Sequence, residues 1–450
     1  MVGTAPARVV PPGPPGVPVL GNLLEIGRDQ LGFYDDIAAR YGDVVLTHFG
    51  RRPVVMLNNP DDVEYVLVKN QRNFVKGTFY RILGHVLGEG LLTSDGQFWK
   101  RQRHLAQPAF HHERIDAYAE TMVDFVGQTT ASWCDGDERD LHTELMRLTL
   151  RVVASTLFDA DIEGGARAIG DALPRALAEA NAQMIGPEFL LPDQVPTPSR
   201  HRLNRAVAEL DTVVYRMIDE RRASGEDHGD LLSALLAARD EDGRGMSRRH
   251  LRDEAMTIIL AGHETTAIAL TWALVLLDQN PEVRGRLERE VDRGLAGNRP
   301  TLIDVRRLPY AEAVLLEAMR LYPPIYGIGR QVVERCEIGG YVLEPGTSIS
   351  IAPWVIQRDS RWFDDPLAFR PERWLDGLAK RLPRFAYFPF GGGPRLCIGQ
   401  QFAMLEGELL LSSIVQGWRL RLVPGQDLAP HPALTMRPRH GIRMTLGARV

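Results

Sequence analysis

The chain has 450 residues, of which 44% are hydrophobic and 25% are charged, and it carries a formal net charge of −5. This is the composition of a globular protein and not of a disordered or fibrous one. The mild acidic excess provides no basic stripe and argues against a nucleic-acid partner. Three cysteines, Cys134, Cys336 and Cys397, are too few and too scattered for a disulfide framework, which favours a reducing compartment.

The first 24 residues are rich in proline and contain no apolar run as long as a signal peptide or a membrane anchor. Pro11 to Pro15 predict a stiff, extended approach to the domain. No Ser/Gly-rich or charged linker divides the remaining sequence, and no repeat period is visible. We therefore expect a proline-rich segment without a membrane anchor over residues 1–24 and a single soluble domain over residues 25–450.

The first half of the domain predicts mixed elements followed by helices. Residues 43–57 predict two short strands joined by a turn, and a helix begins near Asn59 to Asp62. Four glycines between Gly77 and Asp95 interrupt any helical period and predict a long mixed loop. Residues 112–245 predict helices with breaks at 135–137, 186–198 and 225–229. The segment that starts at Met184, MIGPEFLLPDQVPTP, predicts a loop between two amphipathic helices.

A basic helix is predicted for the segment FWKRQRHLAQPAF. Trp99 and Arg103 are four residues apart and share one face of it. An indole N–H beside a guanidinium group suits a carboxylate, although a tryptophan packed under an arginine stem is the commoner arrangement. Lys100 and Arg101 lie on another face, where they are expected to form a basic docking surface for an acidic partner protein.

One long helix is predicted from Ser247, as the N-cap, to about Gln279. Its middle is apolar nearly all round, which is typical of a helix buried in a large core. The polar interruption there places Glu264 in a costly position unless it is used or paired. Thr265 can donate to the carbonyl of Ala261, and the small residues at 261 and 262 then leave a notch that fits dioxygen. His263 lies about 200° around the helix from Ala261 and is expected to face away from the notch.

The last third predicts a buried ion pair and two strand pairs. Glu317 and Arg320 are three residues apart among apolar neighbours, so we expect a buried pair that needs further partners. The segment YVLEPGTSISIAPWVIQRD predicts a hairpin about Pro345 and Gly346. A final strand pair is predicted in PALTMRPRHGIRMTL.

The loop FGGGPRLCIG, residues 390–399, contains the cysteine with the clearest chemical meaning. Its glycines at 391, 392, 393 and 399 predict positive φ angles and a close approach to a bulky planar group. A lone cysteine is often only a small buried hydrophobe, and a nucleophile or a zinc site would need partners that are missing nearby. Haem iron, in contrast, accepts one cysteine thiolate and leaves its opposite face open to dioxygen.

This loop, together with the AGHETT motif at 261–266, resembles the haem-thiolate monooxygenases, the cytochromes P-450, and the resemblance covers nearly the whole chain. It implies a mainly α fold with a small β region, with haem between the long central helix and the cysteine loop. Cys397 would bind the iron, and Thr265 and Glu264 would be the catalytic pair that holds oxygen and relays protons. The other residues implied to contact haem are Trp99, Arg103, Ala261, Arg330, Phe390, Arg395 and Gly399.

The resemblance also implies a scaffold and a pocket. Arg373 would join Glu317 and Arg320 in a structural network beneath the cysteine loop. Residues 77–95 would cap the pocket. The loop from Met184 would act as a mobile lid, with a plain surface connection as the alternative. Gln357 stands where many family members have histidine. The residues implied to line the substrate pocket are Leu260, Ala261, Ile325, Tyr326, Ile328 and Leu434.

The expected reaction is insertion of one atom of dioxygen, by hydroxylation or epoxidation, into an apolar small molecule such as a terpenoid, a polyketide or a fatty acyl compound. The expected cofactor is haem b. Since the sequence shows no flavin or iron–sulfur module, the expected electron donors are a ferredoxin and an NAD(P)H-dependent ferredoxin reductase. A cytoplasmic, bacterial enzyme is implied. Two alternatives are a peroxide-driven peroxygenase and a haem sensor or carrier without turnover.

Overall fold

The computed structural model describes residues 10–158, 165–185, 191 and 195–449. Within these ranges most residues are helical, and short strands form four small sheets. This architecture confirms the predicted fold class, mainly α with a small β region.

Eleven helices precede the long central helix in the described part of the chain. They are α1 Leu23–Arg28, α2 Gln30–Tyr41, α3 Pro60–Glu64, α4 Thr78–Leu87, α5 Gly96–Ala106, α6 His112–Ala117, α7 Ala119–Thr130, α8 Leu141–Phe158, α9 Gly165–Ile185, α10 Pro198–Ser224 and α11 Leu231–Ala237. Those that follow are α12 Arg248–Gln279, α13 Pro281–Leu295, α14 Leu302–Val305, α15 Pro309–Leu321, α16 Pro353–Ile356, α17 Glu372–Leu375, α18 Leu378–Arg381 and α19 Gln400–Gly417. Short non-α turns cover Tyr65–Lys69, Gln71–Asn73, Gln107–Phe110 and Gly393–Arg395.

The described strands are short, each of two to six residues. They are β1 Val44–Phe49, β2 Arg52–Leu57, β3 Phe74–Val75, β4 Glu138–Asp140, β5 Ile328–Val332, β6 Cys336–Ile338, β7 Tyr341–Leu343, β8 Ser348–Ile351, β9 Trp418–Leu422, β10 Pro430–Pro432, β11 Met436–Pro438 and β12 Arg443–Ala448. The largest sheet has the order β1-β2-β8-β5-β3, a second has the order β4-β12-β9, and β6-β7 and β10-β11 form separate pairs.

The predicted strand pair at 43–57 is confirmed. Val44 of β1 lies opposite Leu57 of β2 in an antiparallel register. The helix predicted after it is α3, whose first turn is capped by the side chain of Asn59, which accepts the N–H of Asp61 at 2.9 Å. A strand pair also forms in the predicted final segment, where β10 and β11 flank the turn at 433–435.

Two predictions about local structure are corrected, and one strand was not predicted. Residues 78–87 form α4 and not a loop, because Leu83, Val86 and Leu87 are buried. Burial of such side chains contributes about 1.5–3 kcal/mol each and outweighs the cost of Gly84, about 1 kcal/mol. β7 and β8 do not form a hairpin, since β7 pairs with β6, and β8 lies between β2 and β5. β4 follows the break at 135–137 and was not predicted.

The helix predicted from Ser247 to Gln279 is α12, and its start is confirmed. The Ser247 side chain accepts the N–H of His250 at 3.1 Å. Among the described residues, α12 alone is long and apolar enough to cross a membrane, but 83% of its apolar window is buried inside the protein. It packs against α8, α10, α15 and α19 and is therefore the core helix of the fold. The predicted loop at 186–198 lies largely outside the described residues.

Candidate active site

Two left-handed glycines shape the loop that precedes α19. Gly391 and Gly393 have φ angles of 72° and 65°, in a region that glycine enters at little cost. A Cβ atom on Gly393 would lie 2.1 Å from the carbonyl oxygen of Leu67, so the backbone can approach this closely only at glycine.

The other two glycines of the loop do not adopt the predicted positive φ. Gly392 is extended, and its missing side chain makes room for Phe385, whose ring would lie 2.3 Å from a Cβ atom. Gly399 has a φ angle of −91° and forms the N-cap of α19. The glycine run therefore serves close packing as much as backbone conformation.

Cys397 is accessible although protein surrounds it. Its backbone N–H donates to the carbonyl of Phe390 at 3.0 Å, which closes the loop. Burial raises the pKa of the Cys397 thiol, whereas the N–H of Gly399 and the charge of Arg103 lower it. The side chain nevertheless has exposed surface, so the sulfur faces a space inside the fold.

The centre of α12 has an accessible face at Ala261. Residues 251–260 and 266–277 are buried, but Ala261 is exposed and Thr265 is half-buried. The Thr265 hydroxyl donates to the Ala261 carbonyl at 2.8 Å, as the sequence predicts. Gly262 has a different role from the predicted one, because a Cβ atom there would lie 2.9 Å from Val153 of α8. It allows close helix packing, and the notch belongs to Ala261.

The two residues between Gly262 and Thr265 are buried. Nδ1 of His263 hydrogen-bonds to the carbonyl of Ile259 at 2.7 Å, and burial lowers the pKa of His263. The His263 carbonyl accepts the hydroxyl of Thr149 from α8 at 2.9 Å, so this part of the helix is packed against α8. Glu264 is 5% exposed, and its Oε2 is buried without a hydrogen-bond partner in the described part of the chain.

Arg395 links the cysteine loop to α5. Its guanidinium group lies 4.1 Å from the ring centroid of Trp99 and donates to the carbonyl of Ser94 at 2.9 Å and to the carboxylate of Asp95. Burial lowers the pKa of Arg395 to about 10, against the opposing effect of Asp95.

Three further cations belong to the same region. Arg103 has no hydrogen bond or ion pair with another described residue, and Arg330, only 8% exposed, donates to the carbonyl of Gly329. Lys76 was missed in the sequence, since a single lysine after a strand has no distinguishing pattern. Burial, with the charges of Arg395 and Arg330, holds the pKa of Lys76 well below its ordinary value. Such an excess of buried cations suits anionic groups of a ligand.

Comparison with known proteins identifies the family to which this site belongs. Residues 11–445 match the family model described as Cytochrome P-450. The chain belongs to the cytochrome P-450 family. It is 41% identical over 426 residues to the cyclooctatin synthase of Streptomyces melanosporofaciens, covering 94% of this chain and 92% of that protein. It is 34% identical over 451 residues to the pentalenene oxygenase of Streptomyces avermitilis, covering 100% of this chain and 98% of that protein.

Structural comparison agrees with the family assignment. The retinoic acid bound cyanobacterial CYP120A1 superposes with a TM-score of 0.89 at 27% identity, covering 98% of this chain and 100% of that one. The family recognised in the sequence is therefore confirmed, and the protein is a cytochrome P-450 monooxygenase.

The described residues fit the haem that the P-450 family implies. Cys397 provides an accessible sulfur inside the protein. Ala261 provides a bare patch on the core helix. Arg103 and Arg330 have no carboxylate partner among the described residues, which matches the two propionates of haem. The indole N–H of Trp99 likewise has no described partner, and Phe390 is half-buried beside the loop.

A buried ion network lies next to the cysteine loop of this P-450. Arg320 binds Glu317 through two hydrogen bonds of 2.9 and 2.8 Å, and both side chains are 0% exposed. Arg373 donates to the same carboxylate at 3.0 Å. The indole of Trp374 and the backbone N–H of Arg370 complete its hydrogen bonds at 2.9 and 3.0 Å. The structure thus brings together Glu317, Arg320 and Arg373, as the family resemblance implies.

Gln357 connects this network to the cysteine loop. Its amide nitrogen donates to the carbonyls of Met319 and Arg320 at 3.1 and 3.3 Å, at the end of α15. Its amide oxygen accepts the N–H of Phe388 at 3.1 Å, two residues before the loop. Gln357 is therefore a bridge whose amide nitrogen and oxygen are both hydrogen-bonded, which the sequence did not reveal.

The candidate pocket residues have different surroundings. Leu260 is 4% exposed, and Ile325, Ile328 and Leu434 are half-buried. Tyr326 donates its hydroxyl to the carbonyl of Ala433 at 2.7 Å and packs against the clusters that join α2 to the sheet. The described contacts of Tyr326 are thus core contacts, and its place in the pocket stays a prediction.

Only one of the two cations predicted to form a docking surface is free to do so. Arg101 binds Asp240 at 2.6 Å and the carbonyls of Arg244 and Gly245 at 3.2 Å. This corrects the prediction for Arg101, which instead fixes α5 to the segment after α11. Lys100 is exposed and has no ion pair in the part of the chain that the structure describes.

Glu406 of α19 is a buried acid that the sequence did not single out. It is 0% exposed, and neither carboxyl oxygen has a hydrogen-bond partner among the described residues. Burial raises the pKa of Glu406 to about 8. The hydroxyl of Thr266 lies beside it and opposes the shift, although their orientation does not meet hydrogen-bond geometry.

Proposed function

We propose that this P-450 hydroxylates or epoxidises an apolar terpenoid. One arrangement carries the proposal. Cys397 is accessible although burial raises the pKa of its thiol, and Ala261 is exposed at the centre of a buried helix. The names of the relatives, which refer to cyclooctatin and pentalenene, favour a terpenoid over the polyketide and fatty acyl classes.

Haem bound through the Cys397 thiolate supplies dioxygen activation and the transfer of one oxygen atom to a C–H or C=C bond. The chain holds and orients this group. Arg103, Arg330 and Arg395, with Lys76 and Trp99, bind the propionates, because charged donors form the strongest hydrogen bonds to carboxylates.

Two residues of α12 deliver protons to the accessible face. The hydroxyl of Thr265 lies one turn from Ala261 and holds a proton donor there. Glu264 has a carboxylate oxygen without a partner in the described structure, so it can exchange protons between water and the Thr265 hydroxyl. This pair favours a reaction with dioxygen over one driven by peroxide, which brings its own protons.

Apolar side chains exclude water from the substrate side. Leu260 and Ala261 of α12 form one wall, and Ile325, Ile328 and Leu434 contribute from the loop after α15 and the turn between β10 and β11. Binding in such a pocket selects apolar substrates by the area that they bury.

Electrons come from separate proteins in the cytoplasm, a ferredoxin and its NAD(P)H-dependent reductase. The exposed Lys100 on α5 belongs to the docking surface, since α5 also carries Trp99 and Arg103 next to the haem site. A positive charge there accelerates encounter with an acidic donor.

Substrate titration tests the proposal. Cyclic apolar terpenes and alcohols derived from them are added to the ferric holoprotein, and the shift of the haem absorbance is recorded, with size-matched carboxylates as controls. We expect saturable shifts with the apolar compounds only. Turnover with NAD(P)H, ferredoxin and reductase is then compared with turnover by peroxide. Equal product from peroxide alone would contradict the dioxygen route, and tight binding of the carboxylates would contradict the apolar pocket.

A further inference from the structure

The turn between α4 and α5, residues 88–95, is folded upon itself. The hydroxyl of Thr93 donates to the carbonyl of Gly88 at 2.6 Å, and the hydroxyl of Ser94 donates to the carbonyl of Gly90 at 2.8 Å. These bonds satisfy its backbone locally, so the 88–95 turn behaves as one unit.

One side of the 88–95 turn is held by two buried carboxylates of α12. Asp253 accepts the N–H of Glu89 and Glu254 accepts the N–H of Leu91, each at 3.0 Å. Asp253 and Glu254 are 2% and 1% exposed. Charged acceptors form stronger hydrogen bonds to backbone N–H groups than neutral ones do.

The contact with α12 is so close that it requires glycine. Gly88 has a φ angle of 68°, and a Cβ atom there would lie 2.0 Å from Oδ1 of Asp253. A Cβ atom on Gly90 would lie 2.2 Å from the Thr257 hydroxyl. Gly88 and Gly90, which interrupt the helical period in the sequence, therefore let the turn pack closely on α12.

The other side of the 88–95 turn holds two cations of the haem site. Asp95 accepts the backbone N–H of Lys76 at 2.8 Å and binds the guanidinium group of Arg395. Arg395 also donates to the carbonyl of Ser94 at 2.9 Å, and the Lys76 ammonium group donates to the carbonyl of Leu92. The same eight residues thus touch α12 and orient both cations.

We propose that Asp253 and Glu254 are positioning residues for the haem: they fix the 88–95 turn against α12, and the turn sets the positions of Lys76 and Arg395. The inference rests on the proposed binding of haem propionates by these cations. It makes α12 responsible for the propionate end of the site as well as for the notch at Ala261. Neither carboxylate touches the cofactor.

The charges around the two carboxylates support their role in holding the 88–95 turn. Asp253 is paired with Arg252 at 3.0 Å, and Arg252 in turn binds Asp211 of α10. Glu254 has no such cation, and its Oε1 is buried without a partner among the described residues. Burial, with the charge of Asp253, raises the pKa of Glu254 to about 7. Burying an acid of this kind costs stability. The hydrogen bond from the N–H of Leu91 is the described interaction that offsets this cost.

Haem release tests the inference in the full-length holoprotein. The variants are Asp253→Ala and Glu254→Ala, which remove the acceptors, and Asp253→Asn and Glu254→Gln, which keep an acceptor oxygen. Asp219→Ala is the matched control, because it removes an ion pair of 2.5 Å between α10 and α12 away from the turn. Arg395→Ala reports the effect of losing a cation directly. Transfer of haem to excess apomyoglobin gives the release rate, and redox titration gives the reduction potential.

We expect the two alanine variants to release haem about 10- to 100-fold faster, in line with the loss of affinity that follows when groups orienting a metal's ligands are removed. The asparagine and glutamine variants and Asp219→Ala should release haem at close to the parent rate. The reduction potential of the alanine variants should fall, because cations near the haem favour its reduced form. A purely structural role would lower the unfolding midpoint and leave the potential unchanged.

The outcomes separate this inference from the proposed function. If Arg395→Ala releases haem quickly and the two alanine variants do not, the inference is overturned and the cation assignment stands. If Arg395→Ala has no effect, the cation assignment fails and the inference fails with it. If Asp253→Ala is not recovered as folded holoprotein, Glu254→Ala decides, since its described bond is to Leu91 alone.

Discussion

The hydroxyl of Thr265 donates to the carbonyl oxygen of Ala261 at 2.8 Å, and these are the two residues of α12 with accessible surface on one face of its centre. Replacement of Thr265 by alanine removes the hydroxyl that we propose holds a proton donor at this face. We expect less product per NAD(P)H consumed and more peroxide released, while Thr265→Ser retains most of the coupling. Product, NAD(P)H and peroxide are measured in one assay.

Thr266 provides the matched control for that experiment. Its hydroxyl lies 3.4 Å from the carbonyl of Gly262 and beside Glu406, and its side chain is buried. Thr266→Ala should therefore leave the coupling nearly unchanged. Equal coupling in Thr265→Ala and in the parent would show that the hydroxyl has no part in proton delivery.

Loss of Glu317 should prevent haem incorporation. Replacement by alanine leaves Arg320 and Arg373 buried without their carboxylate, and breaking such a pair costs about 3–5 kcal/mol. The ratio of haem to protein absorbance and the urea midpoint of the purified variant measure the effect. Asp36→Ala is the control, since the side chains of Asp36 and Arg40 are exposed by 53% and 60% and such an exposed pair contributes little to stability. A Glu317→Ala protein with full haem content would contradict the scaffold role.

The buried acid Glu406 should make stability fall as pH rises. Its pKa is raised from 4.5 to about 8, so between these values the unfolded chain loses a proton that the folded chain retains. Each rise of one pH unit in this window lowers the free energy of unfolding by up to about 1.4 kcal/mol. Glu406→Gln should therefore gain stability relative to the parent from pH 5 to pH 8 and no further above it. Urea midpoints of both proteins over this range test this, and a difference that does not change with pH would contradict it.

The sequence predicted the parts of the site that depend on local spacing. The Ser247 cap, the bond from Thr265 to Ala261 and the pair of Glu317 with Arg320 each follow from positions within a few residues of each other on one helix. The family motif around Cys397 supplied the rest of the core assignment.

Contacts between distant segments could not be predicted. Gly262 was assigned to the notch, but its role depends on Val153 of α8. Arg101 was assigned to docking, but Asp240 binds it from 139 residues away. Lys76 is grouped with Arg395 only because Asp95, at the end of the 88–95 turn, binds both residues. In each case the role of the residue depends on a tertiary contact with a distant segment, which the neighbouring sequence does not indicate.

Reversal of the charge at Lys100 should slow the first reduction of the haem. The residue is exposed on the helix that carries Trp99 and Arg103, so an acidic donor would meet a negative charge there. The slowing should be greatest at low salt and should fade as salt screens the charges. Stopped-flow reduction of Lys100→Glu is compared with that of Arg205→Glu, where the same change is made on α10 at a side chain that is 86% exposed. Equal rates in the two variants would remove Lys100 from the docking surface.

The absorbance of the reduced, carbon-monoxide-treated protein tests most directly whether Cys397 binds haem iron as a thiolate. We predict the long-wavelength band that thiolate coordination produces, and its loss in Cys397→Ala. Cys134→Ala, at an exposed cysteine, should keep the band. Absence of the band in the parent protein, or its persistence in Cys397→Ala, would contradict the account.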